Sequence, residues 1–250
     1  MLTIQVCFEH VSDPQKSVSS MSVTRVGESV YLFGGSTDNT FHSQTDTLQA
    51  YDIPTGEWRL IPKGEKGEGE WPLGRHGHNA FSLGGNLHIM AGVLCDMAYG
   101  KPTLEHWVYT PSTETWRLVG EVPIWPKSKG VVVNEVYYQI GKGAGVGYHD
   151  PFRMYTYTVE GGWVLDPVPL RFIEPDGLRA RGSDLCVYSR GDLHVCDTAT
   201  GIWRQVPEEE YTVGRDQWLE RLGHETAPSI MLSVKNRATD MDTWWSEWHY

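Results

Sequence analysis

The chain is short of several things. No stretch of about 18 apolar residues occurs, the length that a membrane-crossing helix needs. Its 21 Lys and Arg are outnumbered by 32 Asp and Glu, for a net charge of −11. That deficit argues against a nucleic-acid surface, where basic patches supply most of the affinity. It equally disfavours an anionic membrane surface. The four cysteines are scattered over 250 residues and form no disulfide framework. Reduced thiols in a cytoplasmic setting are expected. A hairpin loop of three residues would set Cys186 and Cys196 face to face. The segment 1–10 (MLTIQVCFEH) has neither the basic start nor the long apolar centre of a secretory signal.

What the chain does have is one ending written four times. The copies run from Tyr51 to Trp58, from Tyr109 to Trp116, from Tyr157 to Trp163 and from Cys196 to Trp203. Six residues separate the first member from the Trp in three copies, and the third copy is one residue shorter. Upstream of the first three lies an apolar run that ends in small residues: 30–35 (VYLFGG), 87–92 (LHIMAG) and 136–141 (VYYQIG). Further upstream, 22–26 (SVTRV) and 80–83 (AFSL) precede glycine-containing turns. Runs of about five apolar or alternating residues between such turns are strand and hairpin signals. Each unit therefore reads strand a, tight turn, strand b, small pair, variable loop, strand c, turn, strand d.

The small pair Gly34-Gly35 lets the backbone leave strand b where a side chain would clash. The Tyr and Trp of adjacent strands carry large aromatic surfaces into the space between units. Asp52 with Gly56, and Asp197 with Gly201, suit the c–d turn. Gly34, Gly35, Gly92, Gly141, Tyr51, Trp58, Tyr109, Trp116, Tyr157, Trp163 and Trp203 are on these grounds structural.

These features resemble the kelch repeat, a four-stranded propeller blade of about 50 residues. The resemblance rests on the di-glycine, the Tyr-to-Trp spacing and a proline plus basic residue leading into strand a. The last is clearest in 72–78 (PLGRHGH), with echoes in 126–130 (PKSKG) and 178–182 (LRARG). It covers residues 16–207. The implied fold is all-β, a kelch-type β-propeller of about five four-stranded blades, in one domain over 1–250. Only four Trp endings exist, so the fifth blade is expected as a composite of 224–250 with 1–8, or the ring as incomplete. Closing a ring with both termini would remove exposed strand edges. The charged segment 208–223 reads as an irregular or helical insert. In the fourth unit 185–189 and 193–197 read as strands b and c, with strand a short or missing. Arg190-Gly191-Asp192 is the turn between them.

Candidate chemistry is sparse. His76 and His78 are two apart, so on a strand they would share one face. Tyr148-His149 closes the glycine-rich stretch after Gly141, which matches neither phosphate-loop nor dinucleotide spacing. No metal-binding motif is present, and neither metal nor cofactor is expected. In kelch proteins the ligand mouth is commonly lined by the b–c loops, the d–a loops and the basic residue entering strand a. The resemblance thus implies a partner site at Arg75, Lys129 and Arg181, with Asp38, Tyr99, Tyr148 and His149 from the loops. Three cations would suit an acidic peptide. The expected function is a non-catalytic protein–protein interaction module or scaffold. The alternative is a kelch-type propeller enzyme, metal-dependent or sugar-directed, with its site at the same mouth.

Overall fold

The computed structural model describes residues 20–36, 44–63, 70–94, 100–124, 130–143, 151–166, 170, 177–189 and 192–207. All regular structure among them is β. The first sheet is an antiparallel meander of β1 (Ser22–Val26), β2 (Ser29–Phe33), β3 (Leu48–Asp52) and β4 (Glu57–Ile61). The second comprises β6 (Asn79–Leu83), β7 (Asn86–Met90), β10 (Glu105–Thr110) and β11 (Thr115–Glu121). The third runs through β12 (Gly130–Val133), β13 (Val136–Gly141), β14 (Arg153–Thr158) and β15 (Gly162–Leu165). The fourth holds β16 (Gly177–Arg181), β17 (Asp184–Ser189), β18 (Asp192–Asp197) and β19 (Ile202–Val206). A small sheet of β5 (Arg75–His76), β8 (Val93–Leu94) and β9 (Lys101–Pro102) sits at the entry to the second.

The first strands of successive sheets lie side by side: β1 against β6, β6 against β12, β12 against β16. The sheets therefore fan out as propeller blades, with strand a innermost and strand d at the rim. We call the end that carries the b–c and d–a connections upper, and the end with the a–b and c–d turns lower.

The repeated Tyr-to-Trp spacing is a register rule. Tyr51 pairs with Trp58, Tyr109 with Trp116, Tyr157 with Trp163 and Cys196 with Trp203 across strands c and d. The Tyr and Trp ring centroids of the first three pairs lie 5.0, 5.2 and 5.2 Å apart. The shorter third copy keeps its pairing through a tighter turn, in which Gly161 N–H donates to Thr158 Oγ1 at 2.9 Å. In the first and fourth blades an Asp closes the turn. Asp52 Oδ1 accepts from Thr55 N–H, and Asp197 Oδ1 from Ala199 N–H, both at 2.8 Å.

Each seam between blades has its own core. Tyr31, Phe33 and Leu48 meet Leu87, Tyr109 and Trp116 between blades one and two. Phe81 and Leu83 meet Tyr137 and Tyr157 between two and three, where the Phe81 and Tyr137 rings stack at 3.8 Å. Val133, Ile140 and Met154 meet Leu178, Leu185 and Val187 between three and four.

Two expectations are corrected. Strand a of the fourth blade is present: Gly177–Arg181 pairs along its whole length with residues 184–188. Leu178 and Ala180 alternate with Arg179 and Arg181, so a strand with one polar face resembled a basic lead-in. Cys186 and Cys196 do not face each other. The hairpin pairs Ser189 with Asp192, leaving two loop residues rather than three. Register moves by one, Cys196 falls opposite Leu185, and the thiols go to opposite faces of the sheet. Both cysteines are free and buried. The insert at 208–223 and the closing blade from 224–250 and 1–8 lie outside the described residues.

Candidate functional site

The upper end of the seam between blades one and two is organised by four residues, Arg75 to His78. Arg75 is fully buried. Its Nη2 donates to Glu105 Oε2 at 2.6 Å, its Nη1 to Ala91 O at 3.2 Å and its Nε to Leu73 O at 3.1 Å. Glu105 Oε2 also accepts from Trp107 Nε1 at 2.9 Å. Burial pushes the Glu105 carboxyl up, but the bonds from Trp107 and Arg75 outweigh it and hold the group below its usual range. An arginine remains charged in such a place, so this is an ion pair whose cation is buried, with its donors directed at the protein.

His78 points into the seam. Its Nε2 lies 2.7 Å from Ser22 Oγ of blade one, and its ring stands edge-on to Phe33 at 5.5 Å. Burial, with the nearby Arg75 and His76, takes its pKa down to about 3, so the imidazole is neutral. His76 diverges from it, with Nδ1 accepting from Gln44 Nε2 at 2.9 Å. Gly77 between them has φ +62°, which interrupts the strand and separates the two rings. The face shared by His76 and His78 on a continuous strand is therefore absent.

The small pairs clasp this segment from both sides. A Cβ on Gly34 would lie 2.6 Å from Arg75 O and 2.9 Å from His78 Cε1. A Cβ on Gly92 would lie 2.9 Å from His78 Cβ and 3.0 Å from His76 O. Gly35 N–H donates to Arg75 O at 2.8 Å. The glycines after strand b and the Arg-His-Gly-His stretch before strand a are two halves of one joint.

A second polar pair was not foreseen. His88 on β7 and His106 on β10 are both buried, with Nδ1 of the first 3.0 Å from Nε2 of the second. His88 Nε2 lies 3.3 Å from Leu83 O. The consistent assignment has His88 donating to Leu83 and accepting from His106. Phe81 stacks on His88 at 4.8 Å, and Tyr157 of blade three stands edge-on to His106 at 4.7 Å. Burial pushes the two imidazoles down to about 4 and about 3. The only trace in sequence was a histidine at a core position of an apolar strand.

Of the residues expected to form a partner site, Arg75 and Arg181 are described, and these two lie at opposite ends of the blades. Arg75 is buried in the joint. Arg181 ends β16 beside the a–b turn, exposed at the lower end. Lys129, Asp38, Tyr99, Tyr148 and His149 lie outside the described residues. Among the described residues no three His, Cys, Asp or Glu gather as metal ligands, and no helix is long and apolar enough to cross a membrane.

No curated protein matches the chain. Residues 17–64 match the Kelch motif, and that segment contains β1 to β4. Three further blades repeat its strand order and its Trp-bearing outer strand. The described sheets are arranged as the blades of a β-propeller, and the first of them carries the Kelch motif.

Proposed function

We propose that this propeller is a non-catalytic protein–protein interaction module that holds a protein or peptide on the loops of its upper end. The kelch motif supports the reading, since propellers carrying it are often interaction modules. The observation that carries it furthest is how the roots of these loops are fixed. Trp71 Nε1 donates to Asp46 O at 2.8 Å, Lys63 pairs with Asp46, and Gln44 bonds His76. Arg75 ties Leu73 O and Ala91 O to one guanidinium. Rigid roots let loop sequence vary without disturbing the blades, which is how loops on a stable scaffold come to carry recognition.

Asp38, Tyr99, Tyr148 and His149 are the loop residues assigned to contact the partner, with Lys129 as the cation for an acidic segment. Arg75 is left out of that role, because Glu105 neutralises it. The net charge of −11 supports a protein partner over nucleic acid or an anionic membrane. The buried free thiols fit a reducing, cytoplasmic location.

The test is affinity capture with mass spectrometry, using the intact chain and a variant with Asp38, Tyr99, Tyr148 and His149 all changed to Ala. Partners captured by the first and lost by the second, at equal melting temperature, are expected. Arg181→Ala, at the other end, should capture the same set. An identical set on the loop variant would overturn the assignment.

A further inference from the structure

The four blades end in four outer strands, and one differs from the rest. Among the described residues each of β4, β11, β15 and β19 pairs on one side only. β4 (EWRLI), β11 (TWRLVGE) and β19 (IWRQV) place an arginine directly after the Trp: Arg59, Arg117 and Arg204. β15 (GWVL) has Val164 there and no charged residue along its length. Val164 is 56% exposed and the adjacent Leu165 is 45% exposed. β4 is further covered by the ion pair of Arg59 with Glu114 of the next blade. β11 is interrupted by a register shift opposite His106 and Trp107.

Charges and bulges on edge strands keep other strands from pairing there. The four residues of β15 carry neither device, although the pairing runs one residue further, to Asp166. The geometry points to β15 as a docking edge, and we infer that it takes an extended apolar strand flanked by basic residues from a protein partner. A strand is required because an outer edge offers a row of backbone donors and acceptors. Four residues span about 13 Å, so the contact is short.

The flanks define the partner's charge. Glu160 in the preceding turn and Asp166 just after the strand bracket the apolar stretch. Basic residues at both ends of the incoming strand meet them in either orientation. A second copy of this chain is the wrong occupant. Antiparallel self-pairing would set Glu160 of one copy near Asp166 of the other, and the copies carry −11 each.

The test is fluorescence anisotropy with a labelled peptide of alternating valine and threonine, carrying lysine pairs at both ends. The intact chain should bind it saturably. Val164→Arg should weaken binding by about tenfold or more, with unchanged melting, while Val164→Thr should bind as the natural chain does. A twin peptide ending in glutamate should bind at least about tenfold more weakly. Equal binding by Val164→Arg, or no saturable binding to the natural chain, would overturn the proposal. So would a dimer in light scattering that Val164→Arg dissolves, since the occupant would then be a second copy. The upper loops are untouched throughout, so the outcome is independent of the loop-borne site.

Discussion

The seam between blades one and two and the seam between blades two and three bury polar groups in opposite ways. The first holds a charged pair, Arg75 with Glu105, and a neutral histidine tied to Ser22. The second holds two histidines bonded to each other, packed between Phe81 and Tyr157. A buried ion pair stays satisfied while both partners are charged. The histidine pair buries no charge only while both rings are neutral, and nothing opposite in charge lies bonded to it. Removal of a partner therefore weighs most on the first seam, while acid weighs most on the second, which holds two such histidines against the single His78 of the first.

Acid gives the largest expected effect. The folded pKa values of His88 and His106 lie near 4 and 3, below the ordinary value of about 6.5. The unfolded chain therefore binds more protons across that window, so stability is full above about pH 6.5 and is lost as the pH falls toward 4. Each histidine costs about 2 kcal/mol by about pH 5. Urea titrations at several pH values should show the loss. Replacing both, His88→Phe with His106→Leu, should remove their share of it and leave the smaller part that His78, with a folded pKa of about 3, contributes.

Breaking the ion pair comes next. Glu105→Ala leaves a buried guanidinium unpaired and should cost about 3 kcal/mol. The low end of the usual range applies because the Glu105 side chain is 32% exposed. The midpoint of chemical denaturation measures it.

The joint between the glycines and Arg75 sharpens the comparison. Gly34→Ala meets a backbone carbonyl at 2.6 Å and has φ +69°, so about 2 kcal/mol or more is expected. Gly201→Ala has the same φ of +69° with nothing near its Cβ, and should cost only about 1 kcal/mol. The difference in melting isolates the packing of the joint from backbone strain. Smallest of all, Arg59→Ala removes a pair whose members are 50% and 43% exposed. It should shift stability by no more than about 0.5 kcal/mol.

What could be read in the sequence was what is local. Strands b, c and d follow from apolar runs and from the fixed step between Tyr51 and Trp58 or Cys196 and Trp203, all within one hairpin. The pairing that gives Arg75 its role is with Glu105, thirty positions on and across four intervening strands. No spacing rule links them, so Arg75 read as a ligand-facing cation. His88 and His106 come together only through the register of β7 with β10. Cys186 and Cys196 turned on one residue of loop length. Asp38, Tyr99, Tyr148 and His149 fall outside the strand-like runs of the sequence, where periodicity assigns no position.

The central claim is that the polar groups of the joint hold blades together while the loops above them bind. Its most direct test measures stability and partner capture on the same two proteins, Glu105→Ala and the four-residue loop variant. The account predicts that Glu105→Ala lowers the denaturation midpoint and loses capture only in proportion to the unfolded fraction. The loop variant should keep its midpoint and lose capture. A Glu105→Ala protein as stable as the natural chain, yet unable to capture the partner, would contradict it and make Arg75 and Glu105 part of the binding site.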